Sequence, residues 1–440
     1  MSYNVCLISL GCSKNLVESE RILYAVKQAG YDLTSDIESA DIAIINTCGF
    51  ISAASLESIE QIVKVGKLKK DGKLKYLIVT GCLVTRYKDD LLKEMPEIDA
   101  LISSSHPEDV AKAIKSLNGS VKLSDIRKDE SMVEYPRVLS TPSYMAYLKI
   151  AEGCNNRCSF CAIPYIKGRY RSRTIESIVR EAEKLSQNGV KEIVMIAQDT
   201  ARYGIDIYNK KALGDLLKEI VKVDGIRWIR ILYCYPEAIT EDVIDIMANE
   251  PKVCHYLDIP IQHSSDKILK SMHRQSSKKD LTSIIEGLKE KIPDIVLRTT
   301  LMVGYPGENE EDFNELLGFM NEMQFDNLGV FSYSREEGTE AYSLPGQVKD
   351  DIKAAREKDA MLLQRDISYG QNSKRVGNVY DVLIEQKISD GRYKGRYYGQ
   401  APEVDGCFYV NSKKDLDIGS FVKVFTKKAD IYDLEGDVCE

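Results

Sequence analysis

Three cysteines within eight residues, Cys154-Asn-Asn-Arg-Cys158-Ser-Phe-Cys161, are the clearest chemical signal in this 440-residue chain. Thiolates are soft ligands that suit iron–sulfur clusters. A cube of four irons held by three cysteines keeps one iron open to a small molecule. The C-x-x-x-C-x-x-C spacing therefore points to a reactive cluster rather than a pure electron carrier. Other readings stand beside it. A structural zinc needs a fourth ligand, and no Cys or His follows before Cys234. The ferredoxin run C-x-x-C-x-x-C-x-x-x-C has a different first gap and a fourth cysteine. Packing of free thiols explains three so close together poorly. Phe160, beside the last cysteine, is placed to wall a cluster from water.

A second set of thiols emerges from the elements that precede this loop. Val5–Leu10, Asp41–Asn46 and Tyr76–Thr80 read as buried strands. Helical periodicity separates them, at Leu16, Ile22, Leu23 and Val26 and then at Leu56, Ile59, Ile62 and Val63. Strands alternating with helices imply a parallel α/β sheet, in which ligands collect beyond the carboxyl ends of the strands. Cys12 follows the first strand, Cys48 the second and Cys82 the third, as Gly11-Cys12, Cys48-Gly49 and Gly81-Cys82. A glycine neighbour permits a tight turn and close backbone approach. The three thiols are expected to converge on one rim as a second three-ligand set; the competing reading is unrelated loop cysteines. Cys6, Cys234, Cys254, Cys407 and Cys439 have no partner motif and read as packing or incidental thiols.

From about Ser143 to Gln371 the alternation resumes. Candidate strands are Met145–Ile150, Ile193–Ala197, Trp228–Leu232, Tyr256–Pro260, Ile295–Val303 and Leu328–Ser332. Six such units suit a partial (β/α)6 barrel, with the Cys154–Cys161 loop on its carboxyl-end face. Gln198 follows the second strand, His263 follows the fourth, and Arg298 lies within the fifth. A lone histidine is more often structural than an acid/base group. Gly304-Tyr-Pro-Gly307 lacks the Gly-Lys-Ser/Thr ending of a phosphate loop. A charged amphipathic helix is expected over Lys349–Ile367. After Asn372 come short glycine-punctuated strands, Val379–Glu385, Arg392–Tyr398, Cys407–Val410 and Phe421–Thr426, which suggest a small β-barrel of the oligonucleotide-binding kind. The expected organisation is an α/β domain over 1–120, a linker over 121–139, the partial barrel over 140–371 and the small β-barrel over 373–440.

Composition narrows the setting. The start Met-Ser-Tyr-Asn lacks the basic and apolar regions of a signal peptide, and no run of about 18 apolar residues suggests a membrane span. Eleven cysteines without an export signal point to a reducing cytoplasm and to metal ligation. A formal charge of −8 argues against a surface that broadly coats nucleic acid. Ser373–Glu440 holds eleven Lys plus Arg and twelve Asp plus Glu, a net of −1, although a local stripe of Arg392, Lys394 and Arg396 leaves RNA contact open.

The Cys154–Cys161 pattern resembles the radical S-adenosylmethionine (radical SAM) superfamily. The whole chain resembles a methylthiotransferase: a three-cysteine α/β domain, a radical SAM core and a TRAM β-barrel. Within that family it is most similar to the RimO-type branch, which modifies a protein. The matching runs are Asn46-Thr-Cys-Gly-Phe-Ile51, Tyr256-Leu-Asp-Ile-Pro-Ile-Gln-His263, Arg298-Thr-Thr-Leu-Met-Val-Gly304, Gly329–Ser334 with Glu336–Thr339, and Ala401-Pro-Glu-Val-Asp-Gly406. The transfer-RNA branch typically has serine in place of Gly49 and lacks the Arg-Thr-Thr run. The resemblance implies two 4Fe–4S clusters, one on Cys12, Cys48 and Cys82 and one on Cys154, Cys158 and Cys161, together with S-adenosylmethionine. Gln198 and Arg298 then either contact its ribose or carboxylate or serve as structural hydrogen-bonding groups. The implied substrate is an aspartate of the twelfth small-subunit ribosomal protein, free or in the assembled subunit, methylthiolated at its β-carbon. An electron donor and a sulfur source are implied partners. Two alternatives stay open: methylthiolation of an adenosine in transfer RNA, and a non-enzymatic iron–sulfur electron carrier or RNA-binding protein that does not cleave S-adenosylmethionine.

Overall fold

The computed structural model describes residues 3–102, 107–117 and 136–439. The chain divides into two compact units, each described by itself. One comprises Met1–Pro142, Tyr147–Asn156 and Cys161–Arg173; the other comprises Ser143–Ala146, Arg157–Phe160 and Thr174–Glu440.

The first unit is built on β1 (Asn4–Ser9), β2 (Asp32–Thr34), β3 (Ile42–Thr47), β4 (Tyr76–Gly81) and β5 (Ala100–Ile102). All four pairings are parallel, in the order β2-β1-β3-β4-β5. Helices α1 (Ser13–Gln28), α2 (Ser52–Lys70), α3 (Cys82–Glu94) and α4 (Pro107–Ser116) connect or flank them. Because both faces are covered, the central strands are apolar throughout, and alternate residues serve opposite cores. Ala43, Ile45, Leu77 and Val79 pack on one side. Val5, Ile42, Ile44 and Ile78 pack on the other, with Ile22 and Val26 of α1. The strand order switches direction between the neighbours β1 and β3, and ligand crevices of open sheets lie beyond the carboxyl ends at such a point. β2 and β5 escaped the sequence reading because each is only three residues long. After β6 (Met145–Lys149) the same unit includes the short antiparallel pair β7 (Ala151–Glu152) and β8 (Arg171–Ser172), with α5 (Ile163–Lys167) between them.

The second unit carries the remaining α/β repeats: α6 (Ile175–Gln187), β9 (Glu192–Ile196), α7 (Leu213–Ile220), β10 (Trp228–Ile231), α8 (Glu241–Asn249), β11 (Val253–Asp258), α9 (Asp266–Ser271), α10 (Lys278–Lys291), β12 (Val296–Val303), α11 (Glu310–Met323), β13 (Asn327–Ser332) and α12 (Asp350–Ser373). The sheet order is β13-β12-β11-β10-β9-β6, with parallel pairings from β9 to β13. All six expected strands are present within a few residues. Two helices start with reciprocal capping boxes, Ser277 with Asp280 and Asn309 with Asp312, which satisfy otherwise orphaned backbone donors. The helix expected to end at Ile367 continues to Ser373, where Gln364 and Ser368 hydrogen-bond the backbone carbonyls of Phe325 and Asp326.

The chain closes with β14 (Val379–Ser389), β15 (Arg392–Tyr397), β16 (Phe408–Asn411), β17 (Phe421–Ala429) and β18 (Leu434–Val438), a closed barrel in the order β14-β15-β16-β18-β17. The sequence reading missed β18. Its Gly436 and flanking acids break the apolar alternation, and Gly436 is there because a Cβ would lie 2.2 Å from the Phe425 carbonyl oxygen. Of the linker expected over 121–139, residues 121–135 lie outside the described residues, and 136–139 form no regular element.

Candidate metal centres

The first thiol set sits where the sheet topology puts it. Cys12 caps α1, Cys48 follows β3, and Cys82 opens α3. Helix N-termini favour negative charge and hence thiolate. The glycines explain how the loops meet. A Cβ on Gly11 would lie 2.8 Å from the Cys48 Cβ and 3.1 Å from its Sγ; one on Gly49 would lie 2.7 Å from the Leu83 backbone and 3.0 Å from the Cys82 carbonyl carbon. Gly81 has φ +103°, and a Cβ there would lie 2.3 Å from the Thr47 carbonyl oxygen. Each glycine thus lets one cysteine loop touch the next.

Polar clamps that the sequence reading missed lock the loops. The Asn15 amide donates to the Leu10 carbonyl at 2.6 Å and to the Thr47 carbonyl at 3.3 Å, while Asn46 donates back to the Asn15 carbonyl at 3.0 Å. Ser58 accepts from the Cys48 amide and donates to the Cys48 carbonyl. Arg86 donates to the Gly49 carbonyl at 2.8 Å. The one available signal was that Asn46 lies inside the run Asn46–Ile51.

The thiols differ in electrostatics. Burial pushes Cys48 up to about 11, against a hydrogen bond from the Phe50 amide. Desolvation likewise raises Cys82, opposed by Lys167. For Cys12 the crowding protein also raises the pKa, but Lys14, the amides of Asn15 and Lys14, and Lys167 outweigh it and hold the thiol low. Among the described residues, no three His, Cys, Asp or Glu side chains are grouped tightly enough for a single metal ion. A cube of four irons spreads its ligands more widely than one ion does. Three soft thiols on glycine-carved loops fit such a cluster and do not form a ready mononuclear site.

The stem of the second cysteine loop is also held tightly. The Cys154 amide donates to the Gly168 carbonyl at 3.1 Å, and Asn155 accepts from the Tyr170 amide at 3.0 Å. Gly153 has φ +77°, with the Arg169 carbonyl oxygen 2.1 Å from where a Cβ would sit. Beneath the stem, buried Lys149 pairs with Glu18 of α1 and with Glu152 at 2.5 Å, and Lys167 reaches Glu152 at 3.8 Å. Cys82 packs in one cluster with Ala162 and Ile166, from the segment that follows Cys161. Within this unit the two cysteine loops therefore share a wall.

In the other unit, Cys158 Sγ lies 3.7 Å from the Tyr235 hydroxyl and 3.9 Å from Arg274 Nη1. Ser159 is fixed by hydrogen bonds to the Ser271 carbonyl at 2.8 Å and the Tyr305 hydroxyl at 2.7 Å. Phe160 packs with Met272, Tyr305 and Tyr333, so its visible work is anchoring the loop.

The remaining expected residues separate. Gln198 lies just beyond the carboxyl end of β9, on the face expected for a ligand. Arg298 lies third in the eight-residue β12, with its guanidinium 3.0 Å from Asp258 and 3.5 Å from Asp405. Both carboxylates engage the Arg298 guanidinium as ion-pair partners. Tyr256 donates to the same Asp405 at 2.7 Å, so three of the runs that carry the family resemblance meet at one joint between sheet and barrel. His263 is fully buried; its Nδ1 accepts from the Ser265 amide and its Nε2 lies 3.7 Å from Glu308, a structural setting. Glu308 accepts from the Gly304 and Tyr305 amides, which removes the donors a phosphate would need. Cys6, Cys234, Cys254 and Cys407 are buried thiols and Cys439 is exposed.

Gly81→Ala tests the loop geometry. A non-glycine residue at that φ costs about 1–3 kcal/mol before the clash with Thr47 is counted. The expected result is a folded chain that retains roughly half of the parent's iron after anaerobic reconstitution, on the basis of two equal three-thiol sets. Full iron content would show that the loops do not need this close approach.

Comparison with known proteins agrees with this architecture. Residues 4–103 match the Uncharacterized protein family UPF0004, residues 148–320 the Radical SAM superfamily and residues 376–439 the TRAM domain. The ribosomal protein uS12 methylthiotransferase RimO of Clostridioides difficile (strain 630) is 48% identical over 436 residues, covering 99% of this chain and 98% of that protein. The protein of the same name from Thermoanaerobacter sp. (strain X514) is 49% identical over 439 residues, covering 99% of each. Among solved structures, the radical S-adenosylmethionine methyltransferase TsrM from Kitasatospora setae aligns with a TM-score of 0.55 at 14% identity, over 76% of this chain and 72% of that one, a likeness of fold. With the three domain matches in the order of the three folded regions and near-complete coverage of these relatives, the chain belongs to the ribosomal protein uS12 methylthiotransferase family of radical SAM enzymes.

Proposed function

We infer that this chain is a sulfur-group transferase that methylthiolates ribosomal protein uS12, at the β-carbon of an aspartate. The observation that carries the reading is the near-full-length likeness, 48% and 49% identical, to proteins named ribosomal protein uS12 methylthiotransferase RimO. Within the first unit, Cys82 also packs in one cluster with Ala162 and Ile166 of the segment after Cys161.

The residues fit two 4Fe–4S clusters and S-adenosylmethionine: Cys12, Cys48 and Cys82 would hold one cluster, and Cys154, Cys158 and Cys161 the other. When bound, these groups supply one-electron cleavage of S-adenosylmethionine and delivery of sulfur and methyl, which a C–H bond beside an already anionic carboxylate requires. The protein's own part is placement. Gly11, Gly49 and Gly81 bring the first loops together, and Asn15 and Asn46 keep them there. Buried Lys149, Glu18 and Glu152 hold the stem of the second loop. Gln198, at the carboxyl end of β9, is the residue proposed to face S-adenosylmethionine; Arg298 is engaged elsewhere. An electron donor and a sulfur source complete the partners.

A protein substrate is favoured over RNA by how the barrel spends its cations. Arg396 is buried against Glu192 and Glu385, so the last cation of the Arg392–Lys394–Arg396 region is committed inside the protein. The barrel's net charge of −1 adds nothing that attracts phosphate. Among the described residues, no helix is long and apolar enough to cross a membrane. The test is mass spectrometry of uS12 and of transfer RNA from cells with and without this gene. The uS12 aspartate should lose its methylthio group in the deletion strain while transfer RNA is unchanged; the reverse pattern would sink the assignment.

A further inference from the structure

Cys158 has polar company that sequence spacing did not reveal. Arg274 follows α9 and lies in the interior, 9% exposed, with Nη1 3.9 Å from the Cys158 Sγ. Its other nitrogen donates to the Pro260 carbonyl at 2.7 Å, and its guanidinium stacks 4.1 Å from the centre of the Tyr235 ring. The Tyr235 hydroxyl is itself 3.7 Å from the same sulfur. Both segments reach this position through left-handed, non-glycine backbone, Tyr233 at φ +59° and His273 at φ +59°. Such conformations cost free energy and persist where the surroundings impose them, commonly at functional sites. The Tyr233 amide is held by Asp258 and the Arg274 amide by the Leu269 carbonyl.

We propose that Arg274 and Tyr235 are positioning residues that set the reduction potential of the iron–sulfur group held through Cys158. This rests on the reading of Cys158 as a cluster ligand. Potentials of such groups follow net charge and hydrogen bonds to sulfur. Adding one electron makes the group more negative. A buried guanidinium beside one ligating sulfur, with the Tyr235 hydroxyl near the same sulfur, stabilises that reduced form and raises the midpoint. Arginine suits the task because it stays charged and stacks flat on an aromatic ring. The consequence is a centre that a moderate biological donor can reduce.

The experiment starts from the full chain with Cys12, Cys48 and Cys82 replaced by alanine, so that one cluster signal remains. Arg274→Met, Arg274→Lys and Tyr235→Phe are added singly, and each protein is titrated with redox mediators while the reduced cluster is followed by electron paramagnetic resonance. For Arg274→Met the reduced-to-oxidised ratio at fixed ambient potential should fall about tenfold, a midpoint about 59 mV more negative for one electron. Arg274→Lys should recover part of this, and Tyr235→Phe should shift the same way by less. If Arg274→Met retains no iron, Tyr235→Phe decides alone. Midpoints equal to the parent in every iron-loaded variant would overturn the proposal while leaving the ligand reading intact. A parent that binds no iron would instead remove the ligand reading.

Discussion

A chain with Cys12, Cys48 and Cys82 all replaced by alanine is expected to cleave S-adenosylmethionine to 5′-deoxyadenosine and yet make no methylthiolated uS12. The expectation follows from how independently the second loop is built. Its stem is closed by the β7–β8 pair, the Cys154–Gly168 hydrogen bond and the Asn155–Tyr170 contact. Its middle is tied by Ser159 to Ser271 and Tyr305. None of these contacts uses a thiol of the first set. Two links join the loops: Cys82 packs in a cluster with Ala162 and Ile166, where alanine keeps the Cβ, and Lys167 faces Cys12 and Cys82 electrostatically but stays paired with Glu152. Product formation should fall to background, and iron content to about half, since one of two equal thiol sets is gone. Alanine at Cys154, Cys158 and Cys161 should instead abolish both 5′-deoxyadenosine and product. Chromatography of the nucleoside and mass spectrometry of uS12 read the two outputs separately. If the first variant stops making 5′-deoxyadenosine while its remaining cluster is intact by spectroscopy, the division of labour is wrong.

Much of this site could be read from the sequence because its grammar is local. Cysteine beside glycine at the end of an apolar strand states both a ligand and a turn. The sheet then brings Cys12, Cys48 and Cys82 to one rim without further information, because parallel strands share a carboxyl end. What escaped are partners joined only by the fold. Asn15 and Asn46 look like ordinary polar residues until their strands lie side by side. Arg274 is 116 residues from Cys158, and nothing in Met272-His273-Arg274 hints at sulfur. Arg298 shows the same limit from the other side, because its ion-pair partners are set by strand register. A barrel strand announces functional ends, but its register, with Arg298 opposite Asp258 and Asn327, leaves five residues of β12 beyond it. The matched runs around Tyr256, Arg298 and Asp405 meet at one joint between sheet and barrel. In the Arg392–Lys394–Arg396 stripe, the fold commits Arg396 to Glu192, a partner 204 residues away.

Replacing Glu192 should loosen the small barrel from the radical SAM core by about 3–5 kcal/mol, the usual cost of removing one partner from a buried ion pair. Glu192 is the first residue of β9 and is fully buried. Its carboxylate pairs with Arg230 of β10 at 2.8 Å and with Arg396 of β15 at 2.6 Å. Glu192→Ala leaves two guanidinium groups without their common anion in a dry interior. Deleting the whole barrel would do similar damage to the core, by uncovering Glu192 and Arg230, so the point substitution is the cleaner probe of the joint. The chain's one tryptophan reports on the same place: Trp228 meets Phe421 of β17 edge-to-face, 4.7 Å between ring centres. In urea, the red shift of Trp228 emission should come at clearly lower denaturant in the variant than in the parent. The pH dependence has a definite sign. Burial alone would raise the Glu192 pKa, but Arg396 and Arg230 outweigh it and hold it below the usual carboxylate range. A depressed folded pKa gives stability that is complete above the unfolded value, roughly 4.3, and is lost as pH falls through the folded one. Glu192→Gln mimics the protonated acid. The gap between the parent and Glu192→Gln should therefore be widest near neutrality and close progressively in acid. A gap that stays constant down to strongly acidic pH, or a Glu192→Ala joint that resists urea as well as the parent, would show that this ion pair does not hold the barrel in place.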